Sequence, residues 1–252
     1  MSHSSHVHVG GHGDADSTKT NKFELIAAVL LGLAGILTAL ASFQAGLWNG
    51  KMSEHYGKAN EMATAAAAEK SRAIVEMSRD ATIDIQAKQL IMEGDENPAM
   101  RQRDHTIAAY LYTVQMSDAG YKAMGFPEEA KKLIKDNPKT TQTENKDAAL
   151  GEQLLDKALQ NELTDNNNYR NEMLAESKKG SDEADKTFAE GVKAKETSDR
   201  FELGDVIFAV SLFFTGISLV FRTRVRSAVL SAGGLFLFCG IVYMIMIRWT
   251  FS

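Results

Sequence analysis

The sequence predicts an all-α integral membrane protein with three transmembrane helices and a long helical hairpin, coiled-coil-like, outside the membrane. Between Glu24 and Trp48 lie 23 uncharged positions, which at about 1.5 Å per residue suffice to cross a hydrocarbon core of about 30 Å. Residues 51–202 hold 22 of the 28 basic and 29 of the 33 acidic residues, a net charge of −7, while the remainder carries +2. The three prolines of the chain all fall in this polar block. The long runs without proline favour helix.

These features divide the chain into six segments. The order is a disordered His-rich tail at 1–22, transmembrane helix 1 at 23–49, an extramembrane helical stalk at 50–202, transmembrane helix 2 at 203–221, an arginine loop at 222–226 and transmembrane helix 3 at 227–248. The first span could instead be the apolar part of a signal peptide that is cleaved near Ala39-Leu40-Ala41. Its long polar leader and its continuation to Trp48 favour a retained helix.

The first span contains small residues at a spacing of 4, 3, 4, 3 and 4. On a helix this spacing forms one continuous stripe, here called the small-residue seam. Its members are Ala28, Gly32, Gly35, Ala39, Ser42 and Gly46. In lipid, small residues allow two helix backbones to approach closely, and this contact holds membrane helices together. We therefore expect the seam to pack against another helix. Ser231 to Gly234 offer a similar surface in the third span.

The polar block predicts long helices. One helix continues from the first span to about Met92 and ends in a segment with Gly94 and Pro98. Further helices are predicted over Ala99–Met124, from Pro127 to Lys135, and from Lys146 through Arg200 into the second span. On the first of these helices an alanine-rich stripe continues the spacing of 3 and 4. Its members are Ala63, Ala67, Lys70, Ile74, Met77, Ala81 and Ile85. On the second, Ile107, Tyr110, Leu111, Val114 and Tyr121 lie close to one face.

The arginine loop predicts the orientation. Arg222, Arg224 and Arg226 occupy a short connection, and short basic loops remain in the cytoplasm. The amino terminus is then cytoplasmic and residues 50–202 are periplasmic or extracytoplasmic. Glu24 would lie at the same interface as the arginines, where pairing is possible.

Three spans in a one-plus-two arrangement, a long alanine-rich helix and the segment Asp84-Ile85-Gln86-Ala87-Lys88 resemble a family of uncharacterised bacterial three-span membrane proteins. The resemblance covers most of the chain in layout. It implies a bacterial origin and an inner-membrane location. It implies no activity and no functional residues.

Few residues suggest chemistry. His3, His6, His8 and His12 are weak candidates for loose Cu, Ni or Zn binding, although a solvated tail explains them as well. His55 and His105 have no ligand partner at metal spacing, and no nucleotide-binding, hydrolase or zinc motif occurs. Inside the spans, Gln44 is expected to form interhelical hydrogen bonds. Asp205 is expected to contact water or to bond to Gln44 or Asn49, or else to serve a proton relay.

The sequence therefore favours a non-enzymatic membrane scaffold or assembly protein, either a homo-oligomer or an accessory subunit of a larger membrane complex. We expect membrane lipids and other membrane chains as partners, no cofactor, and, because the polar block is acidic, no nucleic acid. The alternatives are an oligomeric channel or transporter lined by the first spans, and a sensor that signals through a partner. The channel would need a repeated polar face, for which only Thr38, Ser42 and Gln44 are candidates.

Overall fold

The computed structural model describes residues 14–136, 145–221 and 225–247. Within these ranges the chain is all-helical and contains no strand. The helices are α1 (Asp14–Glu96), α2 (Arg101–Tyr110), α3 (Asp118–Ala123), α4 (Glu128–Asp136), α5 (Asn145–Gln160), α6 (Asn167–Ser218) and α7 (Val225–Met246), with a π-helical turn at Leu111–Gln115 after α2. Three of the described helices are long and apolar enough to cross a membrane: α1, α6 and α7.

The chain divides into two compact units. The span unit comprises Met1–Gly57 and Thr187–Ser252, and the polar unit comprises Lys58–Lys186. The boundaries between the units fall inside α1, after Gly57, and inside α6, before Thr187. Each of these helices therefore contributes one part to the span unit and one part to the polar unit. The sequence prediction that the first helix continues past the first span, and that a helix of the polar block runs on into the second span, agrees with these bounds.

The core of the span unit is formed by α1, α6 and α7. Its buried members are Ala34, Ala41, Ala45, Phe201, Phe208, Leu237, Met244 and Ile247. Alanines on α1 face large residues on the other two helices, so bulk on one helix fills the space that small residues leave on another. Hydroxyl groups join the helices as well. Ser198 donates to the carbonyl of Ala45 at 2.9 Å and Ser211 donates to the carbonyl of Gly233 at 2.8 Å.

The core of the polar unit is built by α1 together with the shorter helices and the beginning of α6. Its largest fully buried side chains include Tyr112, Tyr121, Met124, Ile91 and Leu154. Along α1 the buried positions recur every seven residues, at Ala59, Ala66, Ala73, Asp80 and Ala87. At Ala66 the helices α1 and α6 approach closely, since a Cβ placed on Gly180 would lie 3.1 Å from the Cβ of Ala66.

Two predicted helices are interrupted in the structure. The helix expected over Ala99–Met124 ends in the π-turn, and Ser117 starts α3 as its N-cap by accepting a hydrogen bond from the backbone of Gly120 at 3.0 Å. Of the side chains predicted to lie close to one face, Ile107, Tyr110 and Val114 are exposed, Leu111 is partly buried and Tyr121 is buried. Tyr112, which was not among them, is fully buried. The prediction that these residues share one face of a single helix was wrong.

The helix expected from Lys146 to Arg200 is also divided, between α5 and α6. Asn161 and Asn166 lie in the connection, and their amides donate to the carbonyls of Met124 and Ala123 at 3.0 and 3.1 Å. The side chain of Asn166 also accepts the backbone N–H of Tyr169 at 3.0 Å, which is how asparagine caps a helix start. Asparagine therefore ends one helix, begins the next and satisfies the carbonyls at the end of α3.

The other bounds follow the prediction with smaller differences. The helix predicted after Pro127 is α4, and the third span, predicted at 227–248, is α7. Of the tail predicted to be disordered, residues 14–22 belong to α1, while 1–13, with all four tail histidines before Asp14, lie outside the described residues. Residues 137–144, between α4 and α5, also lie outside them.

The contact between α6 and α7 gives a test of this packing. A Cβ on Gly233 would lie 3.0 Å from the backbone nitrogen of Thr215 and 3.2 Å from the carbonyl of Ser211, whereas a Cβ on Gly234 would meet nothing within 4 Å. Gly233→Ala should therefore lower the free energy of unfolding by about 1–3 kcal/mol. Gly234→Ala is the matched control and should leave it unchanged or slightly raised. Thermal unfolding in detergent measures both, and equal midpoints for the two variants would contradict this contact.

Candidate functional site

Apart from the hydroxyl of Ser42, the small-residue seam is left open by the rest of its own chain. All six members are exposed in the structure, and a Cβ added to Gly32, Gly35 or Gly46 would meet nothing within 4 Å. The contacts of α1 inside the span unit are made instead by Ala27, Ala34, Ala41 and Ala45, each at most 5% exposed. Thus α1 has two small-residue faces in the span unit, one packed within the chain and one open.

Asp205 is bonded to the first span, as expected, but through a different donor. The hydroxyl of Ser42 donates to Oδ2 of Asp205 at 2.7 Å. Its other oxygen is shielded from solvent and makes no hydrogen bond within the described residues. Of the two donors expected from the sequence, Asn49 donates weakly to Glu202 at 3.5 Å, and Gln44 is buried and has a polar partner of its own. Ser42 thus belongs to the seam and also ties α1 to α6.

The pairing expected at the opposite end of the span unit is present for one arginine. Arg226 lies 3.7 Å from a carboxylate oxygen of Glu24, and its guanidinium lies 3.7 Å from the ring centre of Phe23. Arg222 and Arg224 lie outside the described residues. The contact places the start of α7 beside the start of the first span, so these two helix ends lie on the same side of the span unit.

No group of three or more potential metal ligands occurs among the described residues. His55 lies 3.4 Å from Glu190, and His105 lies 3.2 Å from Asp95. Each histidine therefore lies beside one carboxylate, which is fewer ligands than a metal site uses.

The most constrained polar cluster is in the polar unit, and sequence reasoning did not identify it. Asp80 is fully buried and accepts hydrogen bonds from the backbone and hydroxyl of Ser117 and from the hydroxyl of Tyr169, the last at 2.7 Å. We call these three residues the Asp80 node. They come from α1, from the cap of α3 and from α6, so one carboxylate fastens three helices.

Gly120 makes room for this node. A Cβ at Gly120 would lie 2.5 Å from Oδ2 of Asp80, so no larger residue fits without displacing the carboxylate. The same turn supplies the Ser117 cap, whose hydroxyl donates to Asp80 while it accepts the backbone N–H of Gly120. A buried carboxylate is tolerated only when its oxygens are satisfied by such donors.

A second buried acid lies one turn further along α1. Asp84 accepts a hydrogen bond from the hydroxyl of Tyr112 at 2.8 Å and from Nζ of Lys88 at 2.9 Å. Lys88 also donates to the carbonyl of Asn161 at 2.7 Å, at the end of α5. Through these partners the two acids connect α1 to the π-helical turn, to the cap of α3, to the end of α5 and to α6.

One signal in the sequence could have identified the node. Asp80 occupies the seven-residue repeat whose other members are alanines, at 59, 66, 73 and 87. An acid at a repeat position otherwise filled by alanine indicates a buried polar group that needs partners. Glu and Asp are so frequent in the block that this position was not distinguished from the solvated face.

Comparison of the chain with protein-family models, with curated proteins and with solved structures finds no match. The resemblance to a three-span bacterial family therefore stays a prediction.

The buried tyrosines predict how the polar unit responds to alkali. Burial is the main cause that raises the pKa of Tyr112, Tyr121 and Tyr169 well above the ordinary value of about 10. The carboxylate of Asp84 raises the pKa of Tyr112 further, and that of Asp80 raises the pKa of Tyr169 further. A pKa that is higher in the folded state contributes stability below pH 10, which is lost as the pH rises further.

We expect the tyrosinate absorbance of the native chain to show fewer than the six tyrosines ionising near pH 10. The remainder should ionise only as the helical circular dichroism falls. The chain in guanidinium chloride is the control, in which all should ionise together near pH 10. Ionisation of all six in one step near pH 10, with the helices intact, would show that the three hydroxyls are not buried as described.

Proposed function

We propose that this chain is a non-enzymatic membrane assembly protein that joins further copies of itself, or the subunits of a larger membrane complex, through the small-residue seam of α1. The observation that carries the proposal is the open state of that seam. Gly32, Gly35 and Gly46 have no neighbouring atom where a side chain would begin, although small residues in a span normally serve close helix contact.

The alternative use of the seam, contact with lipid alone, explains its composition less well. Lipid-facing positions of a span favour large apolar residues, and the flanking exposed residues of α1 are of that kind, among them Leu33, Ile36, Leu40 and Phe43. Each glycine inside a helix destabilises it by about 1 kcal/mol relative to alanine. A second helix packed against the seam offsets this cost through van der Waals contact.

Membrane insertion is part of the proposal. The three apolar helices would cross the bacterial inner membrane, with the loop between α6 and α7 in the cytoplasm and the polar unit in the periplasm. The Arg226 contact with Glu24 and Phe23 supports a common side for the amino-terminal end of the first span and this loop. Labelling of single cysteines from outside spheroplasts would test the orientation.

A coiled-coil pairing of α1 with α6 in the polar unit is also proposed. It is supported by the seven-residue recurrence of buried alanine on α1 and of Ser177 and Ala184 on α6. Small residues at such positions bring the helices close and leave little apolar bulk between them. The polar unit in this role is a spacer that carries the assembly beyond the membrane.

The seam can be tested because the single chain leaves space for larger side chains. A Cβ at Gly32 or Gly35 would meet no atom of the rest of the chain within 4 Å, so Gly32→Leu with Gly35→Leu adds side chains at open positions and improves helix propensity. A single chain should therefore keep or gain thermal stability. If the seam packs against a second chain, the variant should instead give particles of lower mass and a lower thermal midpoint.

The matched control is Gly216→Leu, which changes glycine to leucine at a position in α6 where an added Cβ also meets nothing within 4 Å. Native mass spectrometry of particles extracted with their lipids measures the outcome against the chain mass of 27.6 kDa. We expect the wild type and Gly216→Leu to give the same multiple of that mass and the seam variant to give a smaller one. If all three give a single chain, or all three give the same multiple, the seam is not the assembly surface.

A further inference from the structure

We infer that the polar unit holds a binding site for a small apolar carboxylate, in a pocket between α1, the α5–α6 connection and the start of α6. The pocket has a volume of about 240 Å³. This lies below the range of about 300–1,000 Å³ that drug-sized ligands occupy, so the ligand is expected to have about ten non-hydrogen atoms.

One part of the wall is apolar. It is formed by Ile74, Met77 and Ala81 on α1 and by Leu163 in the connection. Ile74 remains 48% exposed although it lies beside this hollow, so burial by a ligand would remove apolar surface from water. These three α1 residues belong to the alanine-rich stripe described in the sequence. No other part of the described chain buries Ile74, Met77 or Ala81 completely.

The other part of the wall determines the charge of the ligand. Arg170 is the charged residue among the described residues that line the pocket, and its guanidinium makes only a long contact, 3.4 Å, with the carbonyl of Thr164. A planar guanidinium forms paired hydrogen bonds with a carboxylate. Ser78 and Thr164 also line the pocket, and a hydroxyl group can hydrogen-bond a carboxylate.

The pocket lies directly against the Asp80 node. Tyr169 forms part of its wall, and the hydroxyl of the same side chain donates to Asp80. Asn166, also in the wall, holds both Tyr169 and the end of α3 through its side chain. A ligand in the pocket therefore contacts the residues that fix the start of α6, and occupancy should raise the stability of the polar unit.

The test uses 4-fluorobenzoate as the probe and the full chain in lipid nanodiscs, with empty nanodiscs as the blank. We expect a saturable change in the ¹⁹F resonance with a Kd of roughly 1 mM or below, as the size of the probe allows. No saturable change beyond that of empty nanodiscs would overturn the proposal.

Two pairs of variants locate the site. Ala81→Leu fills the pocket and should weaken binding at least about tenfold, while Ala68→Leu, at an exposed position of the same helix, should not. Arg170→Gln should weaken binding of 4-fluorobenzoate by about tenfold, while Arg79→Gln, also exposed and outside the pocket, should not.

The uncharged probe 4-fluorobenzyl alcohol separates the apolar wall from the arginine. Its binding should be lost in Ala81→Leu and unchanged in Arg170→Gln. Equal binding of 4-fluorobenzoate to Ala81→Leu and Ala68→Leu would contradict the location. Equal binding to Arg170→Gln and Arg79→Gln would contradict the carboxylate. Because Arg170 is exposed, its variant should fold even if leucine at position 81 disturbs the helix.

Discussion

Close approach of helix backbones at small residues is the constraint on which both units depend. In the span unit, buried alanines of α1 lie against Phe201, Phe208 and Leu237, and Gly233 allows α6 and α7 to touch. In the polar unit, Ala66 meets Gly180. Small residues exclude bulk at each of these contacts, so the helices are held by many short van der Waals contacts and by hydroxyl groups that reach carbonyls across a short gap.

This constraint makes the polar side chains more important. Helices that pack through alanine bury little apolar area, so buried carboxylates with several donors contribute specificity that the core does not. Asp80 fixes how the cap of α3 and the start of α6 meet α1, because within the described parts of the chain its donors are Ser117 and Tyr169. In the span unit, the hydrogen bond from Ser42 to Asp205 likewise fixes which residues of α1 and α6 meet.

Much of the helical layout could be predicted from the sequence, because long uncharged runs and the scarcity of proline act locally. The two interruptions could not. Each is caused by side chains that bond to segments far away in the chain, Ser117 to Asp80 and Asn161 to Met124. Local propensity favours helix at both places, and the tertiary hydrogen bonds override it.

The face that each helix buries was less predictable than its existence. The first span has two small-residue faces, of which the sequence prediction named only the seam, and periodicity alone does not decide which one the chain itself covers. The structure buries Ala34 and Ala41 and leaves Gly32 and Gly35 open. The choice follows from the bulk of Phe201, Phe208 and Leu237, which needs space that the alanine face provides.

Disulfide mapping between chains in native membranes tests most directly whether the seam packs against a second chain. Cys239, the sole cysteine, would be replaced by serine, and one new cysteine would be placed at Gly35 in the seam or at its exposed neighbour Ile36. A disulfide forms readily only when the two Cα atoms come within about 7 Å. We expect cross-linked dimers with Gly35→Cys and few with Ile36→Cys. Monomer alone with Gly35→Cys, or equal cross-linking at both positions, would contradict this packing.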